Sequence, residues 1–119
     1  MSATRIIAIL VLLATPDQVM FGVGAVVRDR RTNEGTVVAH KPTAADAIHD
    51  AKLAVGCGDD CEVLRTFSNE CAAYAMDDSS KNIFASETAA TYNAAAEAAV
   101  EQCVARGGSC RVMQTECDK

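Results

Sequence analysis

Twice in this chain a helix-like stretch closes on a cysteine, passes through a short polar turn, and meets a second cysteine where an apolar strand begins. The first instance is CGDDC, Cys57 to Cys61, and the second is CVARGGSC, Cys103 to Cys110. A crosslink at such a place fastens the end of a helix to the strand that follows, which limits the folds open to the chain. Cys71 and Cys117 bring the number of cysteines to six.

The segments around these cysteines also recur. GAVVRD (24–29) resembles AAYAMD (72–77), TAADAIHDAKLAVGC (43–57) resembles TYNAAAEAAVEQC (91–103), and CEVLRT (61–66) resembles CRVMQT (110–115). The offsets of 48, 46 and 49 residues keep one order, the mark of a tandem duplication with units at about 20–68 and 69–118. Cys57 and Cys61 then hold the same places as Cys103 and Cys110. Ser68 stands opposite Cys117 when the strands are aligned, so Cys71 and Cys117 are not repeat equivalents. The expected bridges are Cys57–Cys61, Cys103–Cys110 and Cys71–Cys117. The competing use of Cys57, Cys61, Cys103 and Cys110 is an all-thiolate zinc site between facing units. Zinc knuckles favour two intervening residues, however, and this chain has three and six.

Within each unit the hydrophobic pattern reads strand, strand, helix, strand. Phe21, Val23, Ala25 and Val27 alternate with Gly22, Gly24, Val26 and Arg28, which predicts a strand with one apolar face. RDRRTNEG is a polar turn and TVVAH (36–40) the return strand. Thr43 is placed to cap a helix with Asp46 three residues on, and Ala44, Ile48, Ala51 and Val55 form its apolar stripe up to Gly56. In the second unit CAAYAM is a strand, DDSSKN a turn and IFASE a strand. A helix from about Thr88 to Cys103 follows, with Tyr92, Ala95, Ala99 and Cys103 on one face, and CRVMQT is the last strand. The fold class is therefore α+β: two tandem ββαβ units in one domain, a mostly antiparallel sheet with two packed helices, stabilised by disulfides.

Composition points the same way. Aromatics make up only 4% of the chain and Trp is absent, so the core is expected to be built mainly from Ala, Val, Leu and Ile. Such a core buries little area per side chain, and small domains of this kind rely on covalent crosslinks. A net charge of −5 opposes nucleic acid and anionic membrane surfaces as partners. At the N-terminus, Arg5 precedes the apolar run Ile6–Ala14, and Thr15, Pro16 and Asp17 end it. That run is too short for a membrane span and has the length of a secretory signal core, so residues 1–14 read as a signal peptide and 15–119 as the mature domain. After signal removal no membrane insertion is expected, and the location is secreted or periplasmic, where disulfides persist.

The strand FGVGAVV, the helix ending in cysteine, the C-x9-C-AAYA segment (61–75) and the terminal GGSCRVMQTEC together resemble the domain of unknown function family 4189. Members of that family are mainly small exported bacterial proteins, mycobacterial secreted proteins among them. The resemblance covers about residues 20–118 and implies fold and export without implying a reaction. Many relatives carry several aromatics in the second strand, where this chain has only GTVVAH.

No motif for nucleophilic, metal-dependent or phosphate chemistry is present. GVGAVV is half a dinucleotide fingerprint and precedes a second strand, so its glycines read as close strand packing. His49 beside Asp46 or Asp50 has the composition of an acid/base pair, but a histidine on a helix surface among carboxylates reads more simply as solvated, and His40 belongs to no constellation. The acidic pairs at 59–60 and 77–78 lack the alternating ligands of a calcium loop and read as turns. The expectation is a non-enzymatic module without metal or cofactor that binds a protein partner in an inhibitor-like or effector-like manner. The alternatives are a small secreted enzyme and a structural envelope component.

Overall fold

The computed structural model describes residues 21–79 and 82–119. The expected signal peptide, residues 1–14, lies outside them. The elements follow in the order β1 (Val23–Asp29), β2 (Gly35–Lys41), α1 (Ala44–Val55), a 3-10 turn (Gly58–Asp60), β3 (Cys61–Phe67), β4 (Cys71–Asp77), β5 (Phe84–Ala89), α2 (Tyr92–Ala105) and β6 (Cys110–Cys117). The ββαβ order occurs twice. Each unit forms its own three-stranded antiparallel sheet, β2-β1-β3 and β5-β4-β6, so the first strand of each unit is central.

The two sheets stack and carry one helix each on their outer faces. Ala47 and Ala51 of α1 pack against Ala25 and Val27. Ala95, Ala99 and Cys103 of α2 pack against Cys71, Ala73, Ala75 and Ala85. Between the sheets lie Val26, Val37, Phe67, Ala72 and Tyr74. Alanine on both sides of each helix–sheet layer lets the backbones approach closely, and the larger side chains are kept for the layer between the sheets. The expectation of one apolar face on β1 is corrected here: Val23, Ala25 and Val27 face the helix, while Val26 packs toward the second sheet. In β4 every residue is buried. A strand covered on both faces loses the alternation on which the one-face reading rests.

Local signals place the helix ends. Thr43 accepts the Asp46 N–H at 3.1 Å, and Gly56 ends α1 in the left-handed region at φ 74°. Three helix assignments need correction. Ala44 is exposed, and Ala47 takes its place on the buried stripe. Tyr92 is 56% exposed, outside the buried face of Ala95, Ala99 and Cys103. Helix α2 starts at Tyr92, with Thr91 as its cap; Thr88 and Ala89 instead pair with Ala72 and Cys71 in the sheet. Alanine-rich sequence permits helix back to Thr88, but ladder hydrogen bonds to a central strand override that local preference.

Corresponding features brace both units. Asp29 and Asp77 end the central strands, and each accepts the backbone N–H two residues on, from Arg31 and Ser79, at 2.8 Å. The register slips between Val26 and Val27 on β1, leaving Leu64 as the extra residue of β3. It slips between Tyr74 and Ala75 on β4, leaving Met113 as the extra residue of β6. The residue after each bulge reaches across to the other sheet: Arg65 donates to the Ser86 carbonyl at 2.8 Å, and Gln114 donates to the Val37 carbonyl at 2.8 Å. The disulfides are Cys57–Cys61, Cys103–Cys110 and Cys71–Cys117, the pairs expected from the spacing. The first two close helix-to-strand junctions, and the third joins directly opposed residues of β4 and β6.

Candidate functional site

The chemically richest corner lies where β2 ends. Between Val23↔Lys41 and Ala25↔Val38 the β1–β2 register holds one residue too many on β2, so the strand bulges opposite Gly24. His40 takes the strain, with φ at 66°. Its backbone N–H donates to Asp118 Oδ1 at 2.7 Å, and its Nδ1 lies 3.5 Å from the same oxygen. Asp118 is completely buried, and its Oδ2 has no hydrogen-bond partner among the described residues. The carboxylate is carried inward by its neighbour Cys117, bonded to Cys71, and by its own N–H donating to the Glu70 carbonyl at 2.9 Å.

Two glycines make room for this arrangement. A Cβ on Gly22 would sit 2.9 Å from both Asp118 Oδ1 and the His40 Cα. A Cβ on Gly24 would sit 2.2 Å from the Phe67 ring. The glycines of GVGAVV thus serve close approach. A cavity of about 430 Å³ opens here, lined by Phe21, Gly22, His40, Lys41 and Pro42. Lys41 is engaged by Asp50 at 2.9 Å, and that hydrogen bond holds the Asp50 carboxyl below its ordinary value. An exposed imidazole facing a buried carboxylate is an arrangement suited to moving a proton. The Ser68 hydroxyl donates to the Gly22 carbonyl at 2.6 Å, and all six cysteines are in disulfides.

The other sequence candidates are dispersed. His49 is exposed, and the carboxylate of Asp50 beside it goes to Lys41. Cys57 and Cys61 belong to the α1 layer, Cys103 and Cys110 to the α2 layer, so the thiolate zinc arrangement is not formed. The acidic pairs serve turns: Asp60 meets Arg31 at 2.7 Å, Asp78 meets Arg111 at 2.6 Å, and Asp77 accepts backbone N–H groups. Asp118 was not legible as a site residue, because nothing local marks an aspartate next to the C-terminus. The extra residue in AHKP was a faint signal for the bulge.

A second feature is apolar. Tyr92, Ala96, Val100 and Val104 recur every fourth residue on α2, beside the buried stripe, and Tyr92 and Val104 are largely exposed. Between α2 and the edge strand β6 runs a trough of about 300 Å³, with Ala96, Val100 and Val112 as its apolar lining and Glu97 and Glu101 as its polar residues. Among the described residues no helix is long and apolar enough to cross a membrane.

Comparison with curated proteins gives no match, and comparison with solved structures gives none. The family model described as Domain of unknown function (DUF4189) matches residues 23–117, the span from the first residue of β1 to the last of β6, and the chain belongs to that family.

Proposed function

We propose that this chain is an exported, disulfide-braced module that acts by binding another protein. The observation that carries this reading is the apolar row Tyr92, Ala96, Val100 and Val104 of α2, exposed at Tyr92 and Val104 and half-buried between them, beside Val112 on the edge strand β6. Isolated exposed apolar residues are ordinary, but a contiguous strip along one helix next to an edge strand is a recognition surface. Three disulfides in a small alanine-built core support an oxidising compartment, as does the Arg5 and Ile6–Ala14 pattern. The equivalent bulges at Leu64 and Met113 support an origin by tandem duplication. Crosslinking of the secreted protein, followed by mass spectrometry, tests the binding reading: a partner in fixed stoichiometry is expected, and a chain that stays uncrosslinked in envelope and extracellular fractions refutes it. For export, the intact mass of the natively produced protein is expected to lack residues 1–14; a retained Met1 in a cytoplasmic fraction refutes it.

A second reading, acid/base chemistry at His40, is favoured by the strained backbone and the buried carboxylate of Asp118.

A further inference from the structure

We infer that the trough between α2 and β6 receives a basic amphipathic segment of another protein, with an apolar side chain against Ala96, Val100 and Val112 and lysine or arginine against Glu97 and Glu101. This rests on the binding-module reading and adds the chemistry of the partner. Glu97 and Glu101 stand four residues apart on α2, so their like charges repel on the helix surface. Neither carboxylate has an ion-pair or hydrogen-bond partner among the described residues, although Arg28, Arg31, Lys41 and Arg111 all have carboxylate partners. The nearest arginine along the helix, Arg106, donates to the Phe84 carbonyl. An acidic pair with no partner among the described residues flanks an apolar trough in a chain of net charge −5, and the complement of that surface is cationic and amphipathic.

Other occupants fit less well. At about 300 Å³ the trough lies at the bottom of the range for small-molecule sites and suits one or two side chains. A symmetric second copy would bring Glu97 and Glu101 toward their own counterparts, like charge on like charge. An anionic lipid surface meets the same repulsion. The chain's own Arg5 to Ala14 segment offers one positive charge for two carboxylates.

The test uses the whole disulfide-bonded chain, prepared with and without residues 1–14, and a synthetic amphipathic helix of leucine and lysine; the same helix with glutamate for lysine is the control. The lysine peptide is expected to bind, the glutamate peptide to fail, and binding to fall steeply with added salt. The double variant Glu97→Gln/Glu101→Gln should weaken binding by about tenfold or more. The variant Asp46→Asn/Asp59→Asn, with the same change of charge at exposed sites on the N-terminal unit, should change it by less than about twofold. Val112→Ser should also lose affinity while far-UV circular dichroism is retained. Equal weakening by both double variants would reduce the effect to net charge and overturn the inference, as would unaltered binding in Val112→Ser. Binding seen only after removal of residues 1–14 would make the chain's own N-terminal segment the occupant, and a dimer that Glu97→Gln/Glu101→Gln strengthens would make a second copy the occupant; either overturns it. A natural partner whose crosslinking is indifferent to Glu97, Glu101 and Val112 would leave the binding-module reading standing and refute this site.

Discussion

His40 holds its backbone at φ 66°, a conformation that costs an L-residue roughly 1–2 kcal/mol and that glycine adopts freely. If the side chain serves only to fill the bulge, His40→Gly keeps the N–H to Asp118 and removes the strain. The expected outcome is unchanged binding and a stability gain of up to about 1 kcal/mol in urea denaturation. Asp118→Ala leaves a buried N–H without its acceptor and is expected to cost about 1–3 kcal/mol. A fall in biological effect of several hundredfold in a folded His40→Gly variant would make the imidazole a chemical group and favour the acid/base reading. Tyr74 offers a second test. Its hydroxyl donates to the Asn33 carbonyl at 2.5 Å, and burial pushes the phenol from 10 up to about 12, with Arg28 opposing and Glu62 assisting. Below pH 10 the phenol keeps its proton in both states. Between pH 10 and about 12 only the unfolded chain releases it, so stability should fall through this window, by an amount on the order of 2–3 kcal/mol, and this group adds no loss beyond it. Tyr74→Phe should remove that slope and cost about 1 kcal/mol near neutral pH. If the variant keeps the slope in urea denaturation across the window, another group is responsible.

At the scale of elements, each post-bulge side chain stitches the two sheets together. Gln114 acts like an extra peptide group laid against β2: its Oε1 accepts the Val37 N–H at 3.0 Å and the Thr36 hydroxyl at 3.1 Å, while its Nε2 donates to the Val37 carbonyl. Arg65 makes one such bond, to the Ser86 carbonyl. Gln114→Ala is therefore expected to destabilise by about 2 kcal/mol and to raise amide hydrogen exchange at Val37 first. Unchanged exchange at Val37 would show that the sandwich holds without this contact. Arg28 lies over the Phe84 ring of β5, 4.3 Å from its centroid, and pairs with Glu62 at 2.6 Å. The charge on the sheet-facing side of β1 is thus balanced where it meets the second unit.

In the whole molecule, every disulfide lies within one unit, so among the described residues the units are joined, beyond the main chain, by packing and by the contacts of Arg28, Tyr74, Arg65, Gln114 and Asp118. The bridges also differ in reach: Cys71–Cys117 spans 46 residues and Cys57–Cys61 spans 4. In the chain-entropy model the long loop contributes about 4 kcal/mol and the short one about 2. Cys71→Ser/Cys117→Ser is expected to destabilise more than Cys57→Ser/Cys61→Ser, measured by urea midpoint without reductant. The long bridge also positions Asp118, so its loss should release the His40 bulge as well. The reverse order of stabilities would show that the helix-to-strand junction matters more than the closure of the second unit.

What depends on neighbours in sequence was readable from the sequence: the Thr43 cap, the Gly56 stop, the order of elements, and the placement of four cysteines at two equivalent junctions. Each rests on groups a few residues apart, whose geometry is nearly the same in any fold. The tertiary structure alone decided how the strands divide into two stacked sheets, and so which faces of β1 and β4 are buried. It also decided that Thr88 and Ala89 belong to a ladder, that Tyr92 is left outside, and that the β2 bulge falls at His40 against a carboxylate from the far end of the chain. These outcomes turn on strand register and on contacts between residues up to 78 positions apart. A one-residue slip in register exchanges the two faces of a strand, and no local pattern in an alanine-rich sequence carries enough difference between those faces to forbid it.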